Sequence, residues 1–296
     1  MKNTSGTMRR CQFIFLVSFA VLSGCKTSQQ SQASTPAWQP LMNGKDLAGW
    51  DTYLGPVFDT TTQKQGGAPI GVNTDPRKTF SIVMEDGKPA LRISGEHFGG
   101  ISTQREFENY HLRLEFKWGK LKWAPRKDAK RDSGLLYHGV GAHGAGHGFW
   151  LRSQEFQIQE GDCGDYWSID KSIVDIPATE VKPKEYRYDP AGQLLTFGDG
   201  KAAGSRCFKY PDAEKPSGEW NVLEVYCFGD TSVHIVNGKT VMTLFHSRQP
   251  GDDGRELPLT RGKIQLQSEG AEVFYREIEI RNISSLPEAL MAKISK

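Results

Sequence analysis

The sequence is short of cysteine, has almost no net charge, shows no internal repeat and offers no long amphipathic helix pattern in its main body; each absence narrows its function. Its 37 Lys and Arg residues are nearly balanced by 35 Asp and Glu, for a formal charge of +2. No basic footprint is present, so no nucleic-acid partner is implied, and neither is an acidic-surface partner. With Cys11 and Cys25 near the N-terminus, only Cys163, Cys207 and Cys227 remain for the main body. An oxidising compartment permits one disulfide among these three, with all three pairings open. The one long apolar run, Cys11 to Leu22, is too short for an ordinary membrane-spanning helix.

That run is informative in another way. Met8-Arg9-Arg10 precedes it, and it ends in Val21-Leu22-Ser23-Gly24-Cys25. This combination resembles the signal and lipobox of bacterial lipoproteins, in which small residues admit the signal peptidase and the cysteine receives the lipid. The resemblance implies a signal peptide over 1–24 and a membrane anchor at Cys25. The Ser, Gln and Thr stretch that follows has too little apolar surface to offset its ordering entropy, so 25–37 reads as a flexible tether. Lys26 after the cysteine, rather than Asp, points to the outer membrane of the cell envelope. A single large domain over 38–284 and a tail over 285–296 complete the chain.

Period-two alternation dominates that domain. Tyr110, Leu112, Leu114, Phe116 and Trp118 alternate with His111, Arg113, Glu115 and Lys117, the pattern of a half-buried strand. Asp86-Gly87 and Asn237-Gly238 separate alternating segments and predict hairpins. Further strands are predicted near Gly134 to His138, Gln154 to Gln159, Gln193 to Phe197, Trp220 to Phe228, Gly262 to Gln267 and Glu272 to Arg281. Only the tail from Leu286 has helical character. Many short strands between Gly, Pro and Asp clusters predict an all-β fold, an antiparallel jelly-roll β-sandwich. Long loops at 52–78, 119–132 and 160–190 are expected to shape a binding site.

Several motifs then fall in one order. Leu41-Met42-Asn43-Gly44-Lys45-Asp46-Leu47-Ala48-Gly49-Trp50, Asp132-Ser133-Gly134-Leu135-Leu136-Tyr137-His138 and Glu155-Phe156-Gln157-Ile158-Gln159 resemble successive motifs of the 3-keto-disaccharide hydrolase family. Gly218-Glu219-Trp220-Asn221, Val236-Asn237-Gly238 and Gly262 to Gln267 continue the resemblance, which covers roughly 40–281. It implies a concanavalin A-like sandwich that cleaves glycosides already oxidised to a ketone at C3. The sequence departs from the family pattern at His138, commonly Arg, at Asp132, commonly Asn, and at Ser268-Glu269-Gly270, where many members read Asp-His-Gly.

A C3 ketone makes the C2 proton acidic and places the glycosidic oxygen β to the resulting carbanion. Such a reaction needs a base near C2, an electrophile at the ketone oxygen and a proton for the leaving oxygen. Glu155, Gln157 and Gln159 alternate with Phe156 and Ile158, so three polar groups share one sheet face. Glu155 is the leading candidate base and Gln157 a sugar ligand, with a solvated outer face as the bland alternative. His138 is a candidate to assist at the ketone or the leaving oxygen, next to Tyr137 as a substrate contact. Asp162 and Asp165 are candidates to bind hydroxyls, and Trp167 to stack on a ring. The Gly-rich loop around His143 and His147 is flexible enough to cover a ligand, with His147 as a contact. Its imidazoles and nearby carboxylates leave room for a divalent metal as a cofactor, although no spacing fixes a metal geometry.

Two rivals stand beside the keto-glycoside reading. Glu155-x-Gln157-x-x-Glu160 resembles the signature of retaining β-glucanases, whose two carboxylates lie about 5 to 5.5 Å apart. A tethered glycan-binding module is the non-enzymatic alternative, since fold alone does not settle function.

Overall fold

The computed structural model describes residues 1–7 and 36–294. The apolar N-terminal run, Cys25 and nearly all of the 25–37 tether lie outside the described residues. Among those described, no helix is long and apolar enough to cross a membrane.

Two large antiparallel sheets make up most of the described body from Pro36 onward. The larger sheet centres on Tyr110–Lys122, which pairs with Asn221–Phe228 on one side and Ala271–Asn282 on the other. The smaller sheet has eight strands. Its middle runs in the order Tyr166–Ile169, Arg152–Gln159, Asp132–Val140, Lys263–Ser268, Gly99–Thr103 and Trp50–Leu54. Every ladder between these strands is antiparallel. The predicted jelly-roll sandwich is therefore the fold.

Alternation explains how the sheets meet. Leu112, Leu114 and Phe116 of the larger sheet face Leu135, Phe156, Ile158 and Leu266 of the smaller one, all at most 1% exposed in one continuous core. Burying one face of each sheet against the other is what stabilises a sandwich. The two predicted hairpins are present, Phe80–Glu85 with Lys88–Ile93 and Thr231–Val236 with Lys239–Pro250. Asp86 and Gly87, like Asn237 and Gly238, all have positive φ, as the tight hairpin turn requires. The C-terminal tail forms the helix Glu288–Ile294.

Three expectations change. The segment 160–190 is not a long loop: it contains Tyr166–Ile169, Ile173–Lys182 and most of a hairpin with Glu185–Tyr188. Its Gly-Asp and Lys-Pro punctuation marks short turns between strands. The segment 52–78 likewise holds a small hairpin, Val57–Asp59 with Lys64–Gly66. Finally, Cys163, Cys207 and Cys227 are each buried and free, so no disulfide forms among them.

The core also fastens the strand that later supplies the site. Ser133 Oγ donates to the Gln267 carbonyl at 2.8 Å and lies 2.7 Å from the Tyr275 hydroxyl, all of them buried. Ser133→Ala strands the Tyr275 hydroxyl and is expected to cost about 1–3 kcal/mol. Urea denaturation should show a lower midpoint with unchanged slope; an unchanged midpoint would mean the hydroxyl finds another partner.

Candidate active site

The outer face of the smaller sheet carries a cavity of about 340 Å³. The strand Arg152–Gln159 forms its floor. Because side chains alternate, Phe156 and Ile158 enter the core while Glu155, Gln157 and Gln159 line the cavity. Across the ladders, Glu155 sits opposite Leu136 on one side and Trp167 on the other; Gln157 sits opposite Gly134, and Gln159 opposite Asp132.

Gly134 is what lets the floor close. A Cβ there would stand 2.3 Å from Glu155 Oε1 and 2.6 Å from Gln267 Oε1. Both side chains therefore lie across the bare strand. Gly270 serves a similar purpose at the rim: its φ is +78°, and a Cβ would come within 2.9 Å of Arg126 Cβ. This close approach lets the loop after Lys122 place the Arg126 guanidinium against Asp132 and 3.5 Å from Glu269.

Asp132 and Glu269 thus share one guanidinium, and Glu155 lies buried beside the two acids. Glu155 is 3% exposed. Burial above all, then the neighbouring Glu269 and Asp132, pushes its carboxyl well above the ordinary range, against smaller opposing effects of Gln267 and Arg206. Glu269 is raised by burial and by Asp132, with Arg126 opposing. Asp132 is pushed up to about 7 because burial outweighs Arg126 and the hydrogen bond that Gln159 donates at 2.5 Å. At neutral pH the cavity can hold a carboxylic acid and a carboxylate together, the pairing that acid–base chemistry uses.

Of the residues singled out in sequence, Glu155, Gln157, Trp167 and His147 line this cavity. His138 and Tyr137 do not. The ladders shift register between Leu136 and Val140, and His138 has φ of 55°, so a bulge turns two successive side chains toward the interior. The His138 ring packs edge-on against Tyr110 and Tyr137 and is 1% exposed. Burial lowers its pKa to about 4. The Tyr137 hydroxyl meets Ser232 and His234 inside the core. Neither residue reaches the cavity, so the expected roles of His138 at the ketone and Tyr137 on the substrate have no place there.

Asp162 and Asp165 act behind the site. Buried Asp165 takes two hydrogen bonds from Arg206, at 3.0 and 2.6 Å, while Asp162 takes one from Lys130 at 2.8 Å. Arg206 in turn lies over the Trp167 ring, 5.2 Å from its centroid. These acids hold Arg206 beneath the Trp167 platform instead of facing the cavity. Glu160 lies past the strand end and pairs with Arg131 at 3.0 Å, away from the cavity, which leaves Glu155 without the partner that the glucanase pattern needs. The Gly-rich loop is pinned by its own bonds, with Gly146 and Trp150 exchanging backbone hydrogen bonds at 2.9 and 3.0 Å. Among the described residues, no group of three His, Cys, Asp or Glu is arranged to hold a metal ion.

Sequence reasoning missed Arg126, Asp132, Glu269 and Gln267 as members of the site, together with an apolar wall of Phe98, Phe149 and Trp150. Asp132 and Glu269 stood out in sequence only as departures from a family pattern, and those departures are what place two acids in the cavity. Arg126 comes from a loop whose docking no periodicity reports.

A family profile for the 3-keto-alpha-glucoside-1,2-lyase-like domain matches residues 37–281. No curated protein matches the chain in sequence. Among solved structures, a provisionally named glycosyl hydrolase from Parabacteroides distasonis is 22% identical, with a TM-score of 0.46, over 83% of this chain and all of that one. The carbohydrate-binding module CBM66 from Bacillus subtilis is 7% identical, with a TM-score of 0.41, over 69% of this chain and 92% of that one. A β-glucanase from Bacillus licheniformis is 9% identical, with a TM-score of 0.39, over 85% of this chain and all of that one.

Proposed function

The chain belongs to the 3-keto-alpha-glucoside-1,2-lyase-like family of carbohydrate-active domains, and from that premise we propose that it cleaves glycosidic bonds in 3-keto-glycosides by removing the C2 proton. The observation that carries this reading is the buried Glu155 carboxyl on the floor of a sugar-sized cavity, beside two further acids and a guanidinium. A passive lectin surface has no use for so many desolvated carboxyls, because each one costs free energy to bury.

In this mechanism Glu155, as carboxylate, takes the proton from C2. The electron pair moves toward the C3 oxygen, where Arg126 and the protonated carboxyl of Glu269 stabilise the developing enolate. The C1–O bond then breaks as the C1–C2 double bond forms, and the proton held by Glu155 passes to the departing oxygen, which lies on the neighbouring carbon. Water adds across the double bond to give the free 3-keto sugar. Gln157 and Gln159 bind ring hydroxyls, and Trp167 offers a stacking face.

The test is NMR product analysis with matched 3-keto and unoxidised disaccharides. Cleavage of the keto form alone is the expected outcome. Cleavage of the unoxidised form alone would favour a glucanase-type reaction, and cleavage of neither would favour a binding module.

We further propose that the protein is exported and lipid-anchored at Cys25, on the outer-membrane side of the envelope. Mass spectrometry of the mature chain is expected to find a diacylglyceryl-modified Cys25 at its N-terminus; an intact N-terminal segment would overturn this.

A further inference from the structure

The cavity has two chemically distinct ends, and Glu155 marks their boundary. From Gln159 back to Ser153 the floor strand covers roughly 20 Å at about 3.3 Å per residue. At the Gln159 end, buried Asp132 Oδ1, Gln157 Oε1 and Arg126 Nε have no hydrogen-bond partner in the protein. Such groups are costly unless a ligand supplies the missing bonds. At the Ser153 end the opposite holds. Ser153 pairs across the ladder with Ile169, which packs with Phe98, Leu136, Phe149 and Trp150 in one apolar cluster. The Trp150 indole N–H is already used, donating to the Gly99 carbonyl at 3.0 Å. Apart from the His147 imidazole, which packs edge-on against Trp150, this wall presents carbon. Trp167, opposite Glu155, stands between the two ends.

Resting on the keto-glycoside reading above, we infer that the apolar end is a leaving-group subsite that takes an aromatic or aliphatic aglycone in preference to a second sugar. The oxidised ring occupies the end with unmet hydrogen bonds, which brings C2 and C1 to Glu155. Whatever is attached at C1 then extends over Phe149, Trp150 and Ile169. A sugar placed there would bury most of its hydroxyls against carbon, with the His147 imidazole as the one polar side chain beside that wall, whereas an alkyl or aryl group loses only its water.

Steady-state kinetics on three 3-keto-glucosides tests this, with methyl, n-hexyl and 4-linked glucosyl groups at C1. The two simple alkoxides are equally poor leaving groups, so a difference between them reports contact with the wall and not bond strength. The hexyl compound is expected to exceed both others in kcat/KM by about tenfold or more, the scale on which apolar pockets discriminate. Trp150→Phe keeps a ring and should keep the preference, whereas Phe149→Ala should shrink the hexyl-to-methyl ratio. Equal values for hexyl and methyl, or a preference for the disaccharide, would overturn the inference and leave the reaction intact. Failure to cleave any of the three would remove the underlying reading and the subsite with it. The wild-type comparison decides the matter even where a variant does not fold.

Discussion

Glu155→Gln protein is expected to fold normally and to lose roughly 10²–10⁴-fold in kcat on a 3-keto-glycoside, the span that a positioned acid–base group typically supplies. The amide matches the carboxyl in size and polarity but does not accept the C2 proton. It also relieves burial of an ionisable group that is held well above its usual pKa, so the variant should melt at or above the wild-type temperature. Both halves of that result matter, because a merely structural Glu155 would lose stability along with activity. The pH dependence gives a second handle. A base must be ionised, so wild-type kcat/KM should rise as pH climbs through the raised value of Glu155.

Stability runs the other way. The cavity carboxyls have folded-state values raised above their unfolded ones, near 4.5 for Glu155 and 3.8 for Asp132. Their contribution is complete below those values and is lost as pH rises through the folded ones, for Asp132 between 3.8 and about 7. The protein should therefore melt at lower temperature under the conditions that ionise its base. Glu155→Gln should flatten this slope. Unimpaired turnover by the variant would sink the assignment of Glu155, and an unchanged slope would mean its carboxyl is already ionised at low pH.

The residues most legible in sequence were those under local rules. Alternation along 154–159 announced which side chains share the cavity face, and Asn237-Gly238 announced a hairpin, because period and turn chemistry act over a few residues. His138 shows where such rules stop. Read by alternation from Leu136 it belongs on the cavity face, but one bulge with φ of 55° sends it into the core. Asp162 and Asp165 were legible as polar turn residues, yet their partner Arg206 lies more than forty positions further on. Arg126 and Glu269 meet only because two connections far apart in sequence, each crossing between the two sheets, dock at Gly270. Long-range docking of this kind leaves no periodic trace, and it supplied half of the cavity's charge.

Gly134→Ala should separate the catalytic geometry from the fold most sharply. Gly134 has no positive φ, so its backbone accepts alanine without strain, and a strand interior is ordinarily strengthened by losing a glycine. The obstacle is steric and local. The new methyl carbon would stand 2.3 Å from Glu155 Oε1 and 2.6 Å from Gln267 Oε1, far inside contact distance. Both atoms are the free ends of flexible side chains facing a cavity, so they can swing aside at little cost to packing. The carboxyl then no longer rests where the C2 proton is presented, and a displacement on the order of 1 Å costs about 10²-fold in rate. The expected result is therefore a loss of that size in kcat, a melting temperature within a few degrees of wild type, and a KM that changes far less than kcat. Trp167 lies two strands from Gly134, beyond the strand that carries Glu155, so its stacking face is out of reach of the new methyl. Wild-type kcat in this variant would show that Glu155 does not work from the floor of the cavity. A collapse in melting temperature with proportional loss of activity would instead make Gly134 a packing residue and nothing more.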